Sequence, residues 1–299
     1  MSSTAPWRVV ILSNDGSSVA LLNQVITALG HTTAGVIMPR PRNLDSSRRH
    51  SLGLAIAQAP EDLEICVVPR SSRIAPTLRA YQPDLAVCMY FPWRVPAEAL
   101  AVPRLGVING HPSLLPRYRG PIPIAWGIRN GDREIGVTVH RMDEDFDTGP
   151  MLAQAGLEIP DDVPLGELQA AYPRLALQAF VGAFTRLAEG SPGKPQPAEG
   201  GSYAGPFSAE DAWLDLSRPA KEVHNLTRAW SFVGLHTGER GPLVELGGVC
   251  LRVYYTTLAE PAGPAKRLDC GDGPLWVVAS EQVRDLSTAN GPRQLARAA

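Results

Sequence analysis

A doubly wound, mostly parallel α/β sheet followed by a small β-barrel is the fold class this sequence predicts, on three observations. The apolar run Val9–Ser13 is followed by a helical spacing over Val19–Leu29 and a second apolar run at His31–Met38. That is the β-α-β opening of a parallel sheet. Short apolar runs then alternate with helical segments as far as Leu187. Beyond the Gly- and Pro-rich stretch Gly190–Pro197 the rhythm changes to closely spaced short strands, the pattern of a small barrel.

The bulk properties set outer limits. At 299 residues the chain exceeds one average domain, and 44% hydrophobic against 19% charged residues is ample material for a buried core. A formal charge of -2 excludes a bulk electrostatic attraction to nucleic acid or anionic membrane. Cys66, Cys88, Cys250 and Cys270 are far apart, so they read as reduced thiols, not a disulfide framework or zinc site. No apolar run reaches membrane-spanning length, and Val9–Leu12 is too short for a signal sequence, so a cytoplasmic location is expected.

Taken in order, the first strand ends at Asn14-Asp15-Gly16, and Gly30 is placed to cap the following helix. Dinucleotide binding would need a G-x-G-x-x-G turn after that strand, and Asn14–Ser18 lacks one. Pro39–Arg49 reads as an Arg- and Pro-rich surface loop, Ser51–Ala59 as a short helix, Glu64–Val68 as a strand and Ile74–Tyr81 as a helix. Asp84–Met89 is the next buried strand, and Tyr90–Arg94 puts an aromatic cluster at its C-terminal end. Such a cluster either walls a flat heterocycle or packs under the sheet. Gly106–Gly120 starts as a short apolar strand and breaks into polar, Gly and Pro residues, where open α/β sheets hold their ligands. Ile122–Arg129 reads as a helix, Asn130-Gly131-Asp132 as a turn and Gly136–His140 as a strand. An acidic loop, Asp143–Pro150, precedes a strand over Met151–Ile159 and a long helix over Leu165–Leu187. The resulting division is a catalytic domain over 1–189, a linker at 190–205, a second domain over 206–285 and a tail at 286–299. Within the second domain, Ala220–Trp230 reads as a helix and Leu243–Leu246, Val249–Thr257 and Leu275–Ala279 as strands.

Asn109 and His111 are two residues apart on a strand and so face the same side. An amide and an imidazole can both donate to a developing oxyanion. Acyl transfer to an amine also needs a proton acceptor, for which Asp147 is the candidate. A carboxylate beside His111 is expected to raise its pKa. No G-x-S-x-G elbow, H-E-x-x-H pair or Walker lysine is present, and Ser113 near His111 does not by itself make a Ser-His pair. Singly, each of these residues has a plain structural explanation as a turn or core residue.

Gly110-His111-Pro112-Ser113-Leu114-Leu115-Pro116-Arg117-Tyr118-Arg119-Gly120 resembles the signature loop of the 10-formyltetrahydrofolate-dependent formyltransferases. Asn130–Asp132, Gly136–His140 and Asp147–Leu152 follow in that superfamily's order, and Phe207–Leu216 is similar to the start of its C-terminal domain. The resemblance implies a Rossmann-like catalytic domain with an OB-like barrel behind it. It assigns the catalytic triad to Asn109, His111 and Asp147, with a charged His111 at the oxyanion. It places the folate, a cosubstrate, against Phe91, Trp93, Arg94 and Val95 on one wall and Val139, His140, Asp143 and Asp145 on the other. It puts Ser113, Arg119 and Gly120 at the acceptor and implies no metal.

The acceptor is read as a small amine, a nucleotide-linked amino sugar or an amino-acid-derived amine, in preference to tRNA. Two features support that preference. The loop at Pro39–Arg49 has no glycine, and residues 206–299 carry ten Arg or Lys against eleven Asp or Glu. A domain with formal charge -1 has little to offer a phosphate backbone. Methionyl-tRNA formyltransferase is the stated alternative, and a formyl-folate hydrolase or non-catalytic folate-binding module the alternative of another class. Oligomeric state is left open, with a dimer among the options.

Overall fold

The computed structural model describes residues 5–40, 46–160, 163–237 and 241–283, with the side chains of 46–51 and 234–237 also outside the description. Part of the expected Pro39–Arg49 loop, residues 41–45, and the expected tail from 286 onward therefore lie outside the described residues. Among those described, no helix is long and apolar enough to cross a membrane.

The first sheet has seven strands in the order β3-β2-β1-β4-β5-β6-β7. They are β1 (Arg8–Leu12), β2 (Thr32–Pro39), β3 (Ile65–Val68), β4 (Leu85–Met89), β5 (Val107–His111), β6 (Glu134–Arg141) and β7 (Met151–Glu158). Pairing is parallel from β3 through β5 and antiparallel between β5 and β6. The sheet is thus Rossmann-like and mostly parallel, as the alternating pattern predicts. The apolar runs of β1 and β4 are buried along nearly their whole length, which is what central strands covered on both faces require. Strand order reverses between β1 and β4, opening a crevice at their C-terminal ends.

Helices α1 (Gly16–Ala28), α2 (Ser46–Gln58), α3 (Ile74–Tyr81), α4 (Ala97–Leu100), α5 (Pro123–Arg129) and α6 (Leu165–Ala188) fill the connections. Asp15 caps α1 by accepting from the Ser18 N–H and hydroxyl. Helix α2 starts at Ser46, inside the stretch expected to be a loop. Helix α6 continues through Pro173, where the ladder gives up one hydrogen bond while a long apolar face stays buried.

Contacts divide the chain into two compact units that do not follow chain order. The first comprises Met1–Arg119, Gly136–Leu157 and Gly166–Gly201; the second comprises Gly120–Ile135, Glu158–Leu165 and Ser202–Ala299. Two excursions from the expected catalytic domain therefore pack with the C-terminal region, and most of the expected linker packs with the sheet. In the second unit, α5 lies against α7 (Ala220–Thr237). Arg129 stacks over Trp126 and Phe207 and pairs with Asp211 at 2.6 Å, tying α5 to the segment that precedes α7. Behind α7 stands a four-stranded antiparallel half-barrel, β10-β11-β9-β8. Its strands are β8 (Leu243–Leu246), β9 (Val249–Thr257), β10 (Lys266–Cys270) and β11 (Gly273–Gln282). Leu214, Val223, Leu251, Val253 and Leu275 make its core. Strand β10 was not legible in the sequence, being mostly polar and exposed.

In the first unit, the rings of His31, Trp7 and Phe184 pack mutually, with His31 stacked on Trp7 at 4.5 Å, and its Nδ1 accepts the Trp7 N–H at 3.2 Å. Burial lowers the His31 pKa, against an opposing pull from Asp84. A depressed folded-state pKa means stability is complete above the unfolded value near 6.5 and is lost as pH falls through the folded value. Thermal unfolding at pH 7.5 and pH 5 is expected to show a larger drop for the wild type than for His31→Gln. Equal drops would remove His31 from the acid sensitivity.

Candidate active site

Strand β5 ends in the polar loop that the sequence singled out, and it carries Asn109 and His111 to one side. Between them, Gly110 lets α6 approach, since a Cβ there would lie 2.7 Å from the Phe180 ring. The loop beyond His111 is anchored from below by β6 and β7. Thr138 donates its hydroxyl to Ser113 O and accepts the Leu115 N–H, while Gln154 donates to Leu115 O and to the Thr138 hydroxyl. The Leu115–Pro116 peptide in this loop is cis.

Asp147 arrives from the turn after β6, in the left-handed region at φ 58°. One of its oxygens, Oδ1, gathers three neighbours: Asn109 Nδ2 at 3.4 Å, His111 Nδ1 at 3.5 Å and His140 Nε2 at 3.5 Å. Left-handed backbone at a non-glycine residue is sparsely populated and persists where the surroundings hold it. Tyr90 and Tyr118 adopt it too, at the two loops beside β4 and β5.

Hydrogen-bond chemistry fixes both imidazoles. A backbone carbonyl can only accept, so His111 Nε2–H donates to Tyr118 O at 2.7 Å and His140 Nδ1–H donates to Arg141 O at 2.9 Å. His140 Nε2 is then the acceptor for the Asn109 amide at 3.2 Å, which turns that NH2 group toward the Asp147 carboxylate. The titratable position of His111 is Nδ1, facing Asp147. Burial lowers the His111 pKa, while the Asp147 charge and the Tyr118 carbonyl raise it and His140 lowers it further. This corrects the expectation of a raised pKa. With only 5% of its side chain exposed, His111 loses more solvation than one neighbouring carboxylate returns.

The other expected contacts fall into two groups. Phe91 and Trp93 meet edge to face at 5.9 Å and, with Met142, line the apolar cluster at the end of β4. Arg94 reaches Asp145 at 3.5 Å, linking the aromatic loop to the acidic loop. The Asp143 carboxylate accepts the Thr148 hydroxyl at 2.7 Å. Val95 and Val139 are 1% and 0% exposed, so only their backbone can face a ligand. Ser113 is buried and donates its hydroxyl to Arg117 O, which takes it out of any Ser-His pairing. Arg119 is committed to Gln196, and Gly120 lies where a Cβ would meet the Tyr203 ring. Cys88 pairs in register with Asn109, but burial and the Asp147 charge push its thiol up to about 12, far from a nucleophilic thiolate. No cluster of three metal-ligating side chains occurs among the described residues.

His140 was expected on the folate side of the site. The structure sets it beside Asn109, because β6 runs antiparallel to β5 with His140 directly opposite Asn109. Gln196 was not anticipated at all.

Residues 8–184 match the family model described as formyl transferase. Methionyl-tRNA formyltransferase of Sinorhizobium medicae is 36% identical over 234 residues, 76% of this chain and 74% of that one. The protein of the same name from Chelativorans is 33% identical over 283 residues, 89% and 88% of the two chains. Among solved structures, WlaRD, described as a sugar 3N-formyl transferase, aligns with a TM-score of 0.63 at 19% identity, over 94% of this chain and all of that one. HypX of Aquifex aeolicus in complex with tetrahydrofolic acid aligns with a TM-score of 0.63 at 17% identity. That alignment spans 94% of this chain but only 45% of HypX, and both structural likenesses speak for the fold.

Proposed function

The chain belongs to the formyl transferase family, a group of one-carbon transferases, and from that premise we propose that it formylates an aminoacyl-tRNA with 10-formyltetrahydrofolate as donor. The observation that carries the chemistry is the convergence of Asn109, His111 and His140 on Asp147 Oδ1 at 3.4 to 3.5 Å.

In this reading the acceptor amine attacks the formyl carbon, and the oxygen of the tetrahedral adduct takes over the Asn109 N–H that reaches Asp147 Oδ1 at 3.4 Å, while the other N–H stays on His140 Nε2. The ammonium proton of the adduct passes to the Asp147–His111 pair, whose shared position is His111 Nδ1. The same proton goes to N10 as the carbon–N10 bond breaks, releasing the formamide and tetrahydrofolate. His111 therefore starts neutral and becomes charged during turnover, in keeping with its lowered pKa.

The relatives move the acceptor from the small amine to the tRNA alternative, since the similar chains named above carry methionyl-tRNA in their names over most of their length. The charge balance of residues 206–299 remains -1. The half-barrel unit does expose Trp213 at 41% and Tyr255 at 54%, flat surfaces of the kind on which bases stack. The test supplies 10-formyltetrahydrofolate and, separately, Met-charged initiator tRNA, uncharged tRNA, amino-sugar nucleotides and ornithine-type amines. Tetrahydrofolate release is expected with the charged tRNA alone. Release only with a sugar nucleotide or small amine would overturn the acceptor, and release with no acceptor would make the protein a hydrolase.

A further inference from the structure

The stretch Ser191–Gln196 has the composition of a linker, yet it is fastened to the turn that carries Asp147. Met151 and Lys194 exchange backbone hydrogen bonds at 2.8 Å in both directions. Arg141, at the end of β6, donates to Pro192 O, Ser191 O and Leu105 O, each at 2.9 Å. At the far end of the strap, the Gln196 side chain reaches under the turn. Its Nε2 donates to Asp147 O at 2.7 Å and to Gly149 O at 2.9 Å. Its Oε1 accepts from Arg119 Nε at 3.0 Å and Nη2 at 2.7 Å.

A primary amide has two N–H donors and an oxygen with two lone pairs. All four are used here, on two carbonyls and one guanidinium, so the amide cannot be turned over without setting donor against donor. We propose that Gln196 is a positioning residue for the reaction: it clamps the Asp147–Gly149 turn and ties it, through Arg119, to the loop that follows His111. The left-handed backbone of Asp147 is the conformation that such a clamp would hold, since that region is sparsely populated by non-glycine residues. With the turn held, the carboxylate stays aimed at Asn109, His111 and His140. Half-buried Gln196 touches neither the folate wall nor those three side chains, and its effect runs through the backbone of Asp147. The inference rests on the assignment of proton transfer to Asp147.

The experiment compares Gln196→Ala, Gln196→Glu, Arg119→Lys and Asp147→Asn in the full chain. Steady-state kinetics with the accepted amine and pH profiles are read alongside thermal unfolding. Gln196→Ala should lower kcat roughly 10- to 100-fold, the size of effect expected from a misplacement near 1 Å, with KM for the formyl donor within about twofold. With the carboxylate swung away, the pH limb that reports His111 should move to lower pH, since the group that raises its pKa is then more distant. The Asp147 carboxylate, His140 and the Tyr118 carbonyl are the groups that act on that imidazole. Gln196→Glu should be at least as slow, because it opposes a carboxylate to two carbonyls, and Arg119→Lys, which gives up one of the two donors to Oε1, should fall between Gln196→Ala and the wild type. Wild-type kcat and pH profile in Gln196→Ala beside an inactive Asp147→Asn would overturn the clamp alone. A fall in melting temperature with unchanged kcat at a permissive temperature would do the same. An active Asp147→Asn would overturn the reading beneath it.

Discussion

Asp147→Asn is expected to lower kcat by roughly 100- to 10,000-fold, the range for removing a positioned proton-transfer group, while leaving the fold intact. The substitution keeps the shape of the side chain and its oxygen toward Asn109. Gln196 holds this turn by backbone carbonyls, which the substitution does not touch. What is lost is the negative charge 3.5 Å from His111 Nδ1 and from His140 Nε2. Without it, burial acts on His111 unopposed by its strongest partner, and the imidazole takes a proton less readily still. Residual turnover should therefore show its pH limb displaced downward. The measurement is single-turnover formyl transfer over a pH series, with circular dichroism and thermal unfolding as the check on folding. A variant within tenfold of wild type would remove Asp147 from proton transfer.

Gly149→Ala is expected to destabilise the chain by about 3 kcal/mol or more and to abolish activity with it, at the upper end of overpacking penalties. A Cβ at this position would sit 1.9 Å from the carbonyl oxygen of Arg141. Retreat is blocked on both sides. Arg141 is held by its own N–H to Pro150 O and by its guanidinium to three carbonyls, and Gly149 O is held by Gln196. Gly166→Ala is the contrasting control, because no atom lies within 4 Å of the Cβ it would add and its place in α6 favours alanine. Chemical denaturation should show a large fall in midpoint for the first variant and none for the second. Equal midpoints for Gly149→Ala and wild type would mean the two chain segments can separate freely.

The two variants probe different kinds of information. Asp147 stood out in the sequence because a carboxylate, a Gly and a Pro mark a loop, and because the motif order around it is that of the formyltransferases. Gly149 looked like an ordinary turn glycine, and only the crossing of two backbones gives it a penalty.

Local pattern was enough for the parallel core. Apolar runs of four residues at β1 and five at β4, bounded by turn signals, read as buried strands, and the i, i+2 spacing of Asn109 and His111 on one strand puts them on one side whatever surrounds it. The donor chemistry was legible through the resemblance of Gly110–Gly120 and Asp147–Leu152 to the formyltransferase motifs, not through spacing. His140, Gln196 and the lowered pKa of His111 were not. His140 meets Asn109 because β6 pairs antiparallel with β5, and strand direction is not written in a run of apolar residues. Gln196 lies 49 positions from Asp147, in a stretch whose Pro and Gly content says only that it is not helix or strand. The net direction of the His111 pKa depends on how much water the assembled core excludes against how near one carboxylate comes, a balance of burial and distance. The sequence by itself determined which side chains could carry formyl transfer and on which strand ends they stand. Tertiary structure alone decided their protonation, their orientation and the clamp that holds them, because each is set by groups distant in the chain that only packing brings within hydrogen-bonding range.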